Sequence, residues 1–293
     1  MNTPLLFKTK FKFRIKRIEA NTVKTAFFLF ESAKAVLLPA HKIRILFSAG
    51  YGHEKGIRRG FFFLKHKIDF DTFTPENISK YDLVIPLNIE DVKILSRSPG
   101  LIKNNLIKIP DERTVEICDN KILFNQTLIG KGFQDYVPKI GDNLPLPFLV
   151  KKKATWGGDH CFLVPDQEKK NQLAGLINDP DYFCQEVIEG IHEYATHILF
   201  RNGKIIRTLT FRYTFYNETS INGKEGFICS DLVKCPYLDI FAAILQAIDY
   251  EGLCCFDYKV ANGKPKIFEI NPRFGGSLSA YFFSFLNSLE TAA

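Results

Sequence analysis

Two Asn-Gly dipeptides constrain the fold of this chain most strongly, because each separates two stretches of strand-forming residues. They are Asn202-Gly203 and Asn262-Gly263. The flanking stretches are His197–Phe200, Lys204–Phe211, Leu253–Val260 and Lys266–Ile270. Asn-Gly in this context is the strongest short-range signal for a type I′ turn, which joins two antiparallel strands. The sequence therefore predicts two β-hairpins and an α+β arrangement in the second half of the chain.

The first half shows a different pattern, in which apolar strands alternate with helices. The predicted strands are Lys42–Ser48, Tyr81–Leu87 and Leu106–Pro110, and a helix over about residues 57–66 follows the first of them. Such alternation is typical of a parallel α/β layer. A further helix is predicted over Asp119–Lys131, with Asp119 as its N-cap.

The positive charge of the chain is concentrated at its N-terminus. Residues 1–44 hold ten Lys or Arg and two acidic residues, so they carry +8, whereas the rest of the chain carries −1. Three interpretations stay open for this segment: a solvated extension, an ordered outer helix, or contact with an anionic partner such as a membrane surface. Glu31 and Lys34 interrupt the apolar run of residues 26–40, which favours an amphipathic helix over a membrane span or signal peptide.

The seven cysteines favour a reducing compartment. Their number is odd, and no Cys-x-x-Cys pair occurs. A disulfide framework or a zinc site would favour an even number or paired spacing. We therefore expect a cytoplasmic protein.

Asp257, Glu269 and Asn271 form the sharpest candidate site. Glu269 and Asn271 are two residues apart in FEINPRFGGS (residues 268–277), so a strand would place both on one face. Asp257 lies on the partner strand of the same predicted hairpin, from which its side chain can converge on them. Two carboxylates and an amide oxygen are ligands that Mg²⁺ prefers. The alternative is a polar strand edge without a metal.

A lysine-rich segment with adjacent glycines, VKKKATWGGD (residues 150–159), is the second candidate. A lysine at a strand end can supply charge to a phosphate, and glycines let backbone N–H groups approach it. The segment is not a Walker loop, because GxxxxGK[ST] is absent. An ordinary surface turn stays open as the alternative. A third segment, QEVIEG (residues 185–190) followed by Glu193, suits an adenine edge bound by backbone and a ribose bound by a carboxylate.

These segments, in this order, resemble the ATP-grasp superfamily over roughly residues 111–280. The resemblance is carried by VKKKATWGGDHC, CQEVIEGIHEYATHI, CCFDYKV and FEINPRFGGS. It implies an ATP-grasp fold with an N-terminal parallel α/β layer and a two-lobed ATP-binding region. The implied domains are a basic extension at residues 1–41, an N-terminal α/β domain at 42–118 and an ATP-grasp domain at 119–293. A lid subdomain would cover about residues 121–185.

The resemblance also assigns roles to individual residues. ATP would be bound by Lys121, Lys151, Gly157, Gly158, Glu186, Val187 and Glu193. Glu186 and Val187 would lie at the adenine and Glu193 at the ribose, although an apparent insertion leaves His192 open for that position. Mg²⁺, or Mn²⁺ in its place, would be bound by Asp257, Glu269 and Asn271. Arg273 and Lys151 would act in catalysis, with Arg273 on phosphate or on a substrate carboxylate.

Two further sites are inferred from position alone. Arg207 and Arg212 are five residues apart on one predicted strand, so at most one of them faces the ATP cleft. Arg212 lies nearer the strand end and is our candidate for contact with phosphate or substrate. GYGHEKG (residues 50–56) follows a strand and differs in spacing from a dinucleotide fingerprint. We expect this loop to border the acceptor-substrate pocket, with a solvated turn as the alternative.

The function that the resemblance implies is an ATP-dependent carboxylate–amine ligase. A substrate carboxylate would attack the γ-phosphate to give an acylphosphate, and an amine would then displace phosphate to form an amide. The alternative is a small-molecule kinase built on the same nucleotide site. Expected partners are small-molecule carboxylates and amines, and no nucleic acid is expected. A peripheral membrane contact through the basic N-terminus and a homodimer stay open.

Overall fold

The computed structural model of this chain describes residues 3–37, 42–102, 105–153 and 158–290. Its α-helices are α1 (Thr3–Leu37), α2 (Glu54–Gly60), α3 (Pro75–Ile78), α4 (Ile89–Ser96), α5 (Glu112–Asp119), α6 (Lys121–Gly130), α7 (Gln167–Gln172), α8 (Ala174–Ile177), α9 (Leu238–Ala247) and α10 (Phe283–Glu290). Its strands are β1 (Arg44–Ser48), β2 (Lys67–Asp71), β3 (Leu83–Ile85), β4 (Phe148–Lys152), β5 (Cys161–Val164), β6 (Tyr182–Glu186), β7 (His192–Arg201), β8 (Lys204–Thr214), β9 (Cys229–Val233), β10 (Gly252–Ala261) and β11 (Lys264–Asn271). Short 3-10 turns lie at Pro99–Ile102, Gln134–Tyr136 and Gly276–Leu278.

The strands form three sheets. A parallel sheet has the order β2-β1-β3, and an antiparallel sheet of five strands has the order β11-β10-β7-β8-β9. A third, antiparallel sheet has the order β5-β4-β6. This mixture confirms the predicted combination of an N-terminal α/β layer with an α+β region.

The parallel sheet differs from its prediction in two strands. β1 and β3 fall within predicted strands, and β2 is an additional strand that pairs with β1. The prediction of a strand at Leu106–Pro110 is wrong, since the structure gives these residues no strand. The Asn105 side chain instead accepts from the Val84 N–H at 3.0 Å and donates to the Val84 carbonyl at 3.2 Å. The side-chain amide thus forms the two hydrogen bonds that a further strand would otherwise form with the edge strand β3.

Both predicted hairpins are confirmed in the five-stranded sheet. Asn202 and Gly203 join β7 to β8, and Asn262 and Gly263 join β10 to β11. All four residues have φ between 52° and 74°, as a type I′ turn requires. One face of this sheet packs on α9, where Phe241 stacks on a strand residue of β10. The other face packs on α10 and the parallel sheet.

α6 begins one residue later than predicted. Asn120 is its N-cap and accepts from the backbone N–H groups of Ile122 and Leu123. The prediction that Asp119 caps this helix is wrong, because Asp119 ends α5 and binds Lys93 at 2.7 Å. The shift places Lys121 at the first position of α6.

The antiparallel β5-β4-β6 sheet has a small core of its own. Phe148, Val150, Val164 and Cys184 are buried there, with leucines of the α7–α8 segment packed against them. Because this core is separate from that of the five-stranded sheet, the two sheets leave a cleft between them.

α1 is an ordered outer helix, which is one of the three interpretations of the basic N-terminal segment. Ala20 is buried against residues at the start of β9. Glu31 is buried and forms an ion pair with Arg207 of β8, at 2.7 Å. Among the helices of the described ranges, none, α1 included, is both long and apolar enough to cross a membrane.

Replacing Glu31 by Ala should destabilise the fold, because the Arg207 guanidinium would remain partly buried without this carboxylate. We expect a loss of about 1–3 kcal/mol in the free energy of unfolding, measured by urea denaturation. Glu19→Ala on the exposed side of the same helix is the matched control and should change it by less than about 0.5 kcal/mol. Equal effects of the two substitutions would contradict this role of the ion pair.

Candidate functional site

The β10–β11 hairpin brings the three predicted metal ligands together. Asp257 and Glu269 are directly opposite each other in the strand register, and Asn271 lies two residues further along β11. The Asn271 amide donates from Nδ2 to Asp257 Oδ2 at 2.8 Å and to Glu269 Oε1 at 3.2 Å. Its Oδ1 accepts from Arg273 at 3.2 Å. Two carboxylates therefore converge on one polar group, and an arginine lies behind it.

Lysines balance part of the negative charge of this cluster. The Lys121 side chain is buried, and its Nζ lies 2.9 Å from Glu269 Oε2. Burial opposes ionisation of Glu269, but Lys121 and Lys151 outweigh it and hold the pKa of this carboxyl below its usual value. Burial and the charge of Glu269 raise the pKa of Asp257. Glu269 is thus held ionised, and a further cation would stabilise the charged form of Asp257.

A cavity of about 390 Å³ lies between the β5-β4-β6 sheet and the five-stranded sheet. Its charged end is lined by Lys121, Lys151, Asp257 and Glu269. Its apolar side is lined by Leu149, Val187 and Ile188. The structure therefore places the predicted lysine opposite the predicted carboxylates, with a cleft between them.

Glu193, rather than His192, faces this cavity. Side chains alternate along β7, and His192 forms its hydrogen bond with Thr214 at 3.1 Å. Burial raises the pKa of Glu193 to about 7, while Lys259 and Lys151 act in the opposite direction. Glu193 therefore changes charge close to neutral pH.

Residues 219–223 form a wall of this cavity, and none of them is among the predicted site residues. Lys259 positions this loop, because it donates to the carbonyl of Glu218 at 2.8 Å and to that of Ser220 at 3.3 Å. Lys259 follows Asp257 by two residues in β10, so the alternation that placed Asp257 in the site is the signal that could have found it. The loop itself carries no motif.

Gly158 makes a close contact with this loop. Its φ is +75°, and a Cβ at this position would lie 2.4 Å from the Asn222 carbonyl oxygen. Glycine is required on both counts. Lys224, from the segment that follows the loop, donates to the carbonyl of Cys161 in β5 at 3.0 Å. Gly157, the other glycine predicted to bind ATP, lies outside the described residues.

A second cavity, of about 360 Å³, lies where the parallel sheet meets the β10–β11 hairpin. Tyr51 and His53, from the loop after β1, line one side of it, and Arg273 lines the other. The loop at residues 50–56, which we expect to border the acceptor-substrate pocket, thus lines a cavity next to the candidate site. Lys121 and Glu269 line both cavities, so the two spaces meet at their ion pair.

Gly275 and Gly276 pack between two histidines. A Cβ on Gly275 would lie 2.4 Å from His197 Cε1, and one on Gly276 would lie 2.7 Å from His53 Cε1. His197 is buried, and its Nε2 lies 2.7 Å from Ser277 Oγ. The glycine pair therefore lets the segment after β11 lie flat between the five-stranded sheet and the loop after β1.

Arg212 is not part of the site, and the prediction that it contacts phosphate or substrate is corrected here. It pairs across the strands with Tyr194, whose ring stacks on Tyr258 on the face away from Glu193. There Arg212 binds Asp231 at 2.9 Å. Proximity to the strand end was a poor criterion, because the strand alternation sends this side chain to the opposite face.

Val187 and Glu186, both predicted to lie at the adenine, differ in whether they line the first cavity. Val187 lines the first cavity. The Glu186 carboxylate accepts from the backbone N–H of Lys139 at 2.8 Å, and its own N–H donates to the Lys139 carbonyl at 2.9 Å. The side chain of Glu186 is therefore engaged with the segment before β4.

Comparison with known proteins gives a family and a set of similar folds. The model of a family described as the ATP-grasp domain matches residues 101–277, which is more than half of the chain. Comparison with curated proteins gives no match.

Several solved structures share the fold at low sequence identity. D-alanine–D-alanine ligase from Bacillus anthracis has 15% identity and a TM-score of 0.59, over 86% of this chain and 98% of the other. L-amino acid ligase from Bacillus licheniformis has 13% identity and a TM-score of 0.59, over 84% and 70%. Phosphoribosylamine–glycine ligase from Thermotoga maritima has 14% identity and a TM-score of 0.63, over 85% and 75%. These similarities confirm the predicted fold.

Replacing Gly275 by Ala should destabilise the chain, because the added methyl group would overlap the His197 ring. We expect a loss of about 1–3 kcal/mol in the free energy of unfolding, measured by urea denaturation. Gly175→Ala is the control, since a Cβ at that position would meet no other atom within 4 Å. That substitution should leave stability unchanged or raise it by up to about 1 kcal/mol. A Gly275→Ala variant as stable as wild type would rule out the tight contact between Gly275 and His197.

Glu193 should make stability depend on pH with a defined sign. Its pKa of about 7 in the folded state lies above the ordinary value of 4.5. The folded state therefore holds the proton more tightly, and stability falls as pH rises from the lower value through the higher one. The Glu193→Gln variant lacks the titrating group and should not show this loss. The free energy of unfolding of the variant, minus that of wild type, should therefore rise between about pH 5 and about pH 8, by on the order of 2–3 kcal/mol.

The measurement is urea denaturation of both proteins across that pH range. The exposed Glu116→Gln serves as the control and should show a difference from wild type that does not change with pH. A pH-independent difference for Glu193→Gln would show that the pKa of Glu193 is not raised.

Proposed function

We propose a function from the premise that this chain belongs to the ATP-grasp family: it is an ATP-dependent ligase that joins a carboxylate to an amine. The observation that carries the proposal is the junction of two cavities at the Lys121–Glu269 ion pair. One cavity suits a nucleotide and the other a small substrate. Among the described residues, Lys121 and Glu269 line both cavities, so a phosphoryl group would pass from one to the other beside this pair.

The first cavity has features that suit ATP. Its volume lies in the range of small-molecule sites. Val187, Ile188 and Leu149 would contact the adenine, and Glu193 would accept hydrogen bonds from the ribose. Lys121 and Lys151 lie at the charged end, where they would bind the phosphates. This orientation directs the γ-phosphate toward Asp257 and Glu269.

The residues at this end fit a divalent cation. Asp257 and Glu269 are opposed carboxylates, and the Asn271 amide nitrogen donates a hydrogen bond to each of them. The two negative charges favour a cation at this position. Asp257 and Glu269 would hold Mg²⁺, with Mn²⁺ as a substitute. The Asn271 oxygen, which here accepts from Arg273, would become the third ligand after a half-turn of the amide group. When bound, the ion would neutralise charge on the phosphate oxygens.

The second cavity would bind the acceptor carboxylate. Arg273 lines it beside Asn271 and supplies a planar guanidinium suited to a carboxylate or phosphate. We infer that the carboxylate attacks the γ-phosphate at the junction, that an acylphosphate forms, and that an amine then displaces phosphate. The loop at residues 219–223 and Gly158 cover one side of the first cavity, which would limit attack by water.

Release of ADP from the purified chain should require both a carboxylate and an amine. The test is a coupled ADP assay with panels of carboxylates and amino acids, followed by mass measurement of the product. An amide product together with ADP supports the ligase. ADP release with a single hydroxyl substrate, together with a phosphorylated product, would establish a kinase instead. Absence of ADP with every pair would contradict both.

Glu269→Gln should reduce ADP release by on the order of 10²–10³, because it removes one carboxylate of the pair and the partner of Lys121. Glu168→Gln, an exposed substitution in α7, is the matched control and should retain wild-type turnover. Circular dichroism should show both variants folded. Near-normal turnover of the folded Glu269→Gln variant would remove Glu269 from the mechanism.

A further inference from the structure

We propose that α1 and the turn after α2 form a docking surface for a membrane that carries anionic lipids. A groove of about 470 Å³ lies between them, far in sequence from the metal-ligand strands. Its walls are Phe28 of α1, Arg58 and Arg59 of α2, and Phe62 and Phe63 of the turn. The groove thus combines aromatic rings with guanidinium groups, and none of these residues lines the two cavities of the proposed active site.

The two aromatic residues of the turn are the strongest apolar feature of this surface. Phe62 is 78% exposed and Phe63 is 62% exposed, and their rings lie edge to face with centroids 4.9 Å apart. Two such rings place a large apolar area in contact with water, which costs free energy that no contact within the chain offsets. Insertion at the boundary between lipid headgroups and acyl chains would bury both rings.

The arginines of the groove are each held over another aromatic ring. The Arg59 guanidinium lies 5.8 Å from the centroid of Phe28, and that of Arg58 lies 4.8 Å from the centroid of Phe70. Arg58 also binds Glu54 at 2.8 Å. A guanidinium held over an aromatic ring suits recognition of a phosphate group, because little freedom is lost when it binds.

α1 also bears an exposed apolar stripe, which lies beside Phe28 around the helix. Ile15, Ile18, Leu29 and Val36 are all more than 40% exposed. They are spaced by three, eleven and seven residues, so they lie on one side of a helix with 3.6 residues per turn. The side of α1 that is buried against the protein, which includes Ala20 and Glu31, is the opposite one.

Exposed basic residues lie on the same part of α1, with Arg14 at the border of this stripe. Arg14, Lys16 and Arg17 are exposed on α1, and residues 1–44 carry +8 whereas the rest of the chain carries −1. An amphipathic helix with apolar residues on one side and Lys or Arg at its borders is the pattern of a helix that lies in the membrane interface. The charge of the chain is thus concentrated at the helix that bears the apolar stripe.

The same charges argue against a second copy of the chain as the occupant. In a two-fold symmetric dimer, each patch meets the identical patch of its partner. The basic residues of α1 and Arg59 would then face the same residues across the interface, which is electrostatically unfavourable. Anionic lipid headgroups neutralise them instead.

The test is co-sedimentation of the full chain with lipid vesicles. It should bind vesicles of phosphatidylcholine that contain phosphatidylglycerol, should bind pure phosphatidylcholine vesicles at least about tenfold more weakly, and should lose binding as NaCl is raised. The double substitutions F62S/F63S and R58Q/R59Q should each lower the partition coefficient by about tenfold or more. Soluble glycerol phosphate should not compete at millimolar concentration, which separates a lipid surface from a free phosphate.

The controls remove two exposed apolar side chains, or two exposed basic ones, from other surfaces. I94S/I129S and R201Q/K204Q should bind vesicles as wild type does. The proposal is overturned if wild type does not bind anionic vesicles, or if the controls lose binding equally. It is also overturned if sedimentation velocity shows a dimer that F62S/F63S dissociates while vesicle binding is unchanged.

Discussion

The ion pair between Lys121 and Glu269 is the contact on which the rest of the site depends. It joins the first residue of α6 to β11, and among the described residues its two members are the ones that line both the first and the second cavity. Two opposed carboxylates in a partly buried position would repel each other, and desolvation alone would push both toward the neutral form. Lys121 and Lys151 keep Glu269 charged, which leaves Asp257 as the group whose ionisation requires another cation.

Strand register and close packing position the residues around this pair. The β10–β11 register sets Asp257 against Glu269, and the glycines after β11 let that segment pack between His197 and His53. His53 belongs to the loop after β1, so the same packing brings the parallel sheet to the second cavity. The loop at residues 219–223 is held by Lys259 on the opposite side. The arrangement of the proposed site thus depends on strand register and close backbone contacts.

Much of this arrangement could be predicted from the sequence, and the exceptions have physical causes. Asn-Gly turns and strand alternation are local, so the two hairpins and the convergence of Asp257, Glu269 and Asn271 were accessible. The end of the parallel sheet at β3 could not be predicted. There the Asn105 side chain, rather than a further strand, forms hydrogen bonds with the Val84 backbone, and no sequence periodicity indicates such a contact. Arg212 was misplaced because distance to a strand end says nothing about the face. The wall at residues 219–223 depends on a long-range contact with Lys259, which only the folded chain shows.

Binding of a non-hydrolysable ATP analogue tests the central claim most directly, because the claim is that a cation-binding carboxylate pair faces nucleotide phosphates. Calorimetric titration of the full chain should show tight binding with Mg²⁺, and binding weaker by about tenfold or more when a chelator replaces it. Asp257→Asn should lose most of this dependence on Mg²⁺. Equal affinity with Mg²⁺ and with chelator in the wild-type chain would contradict the account.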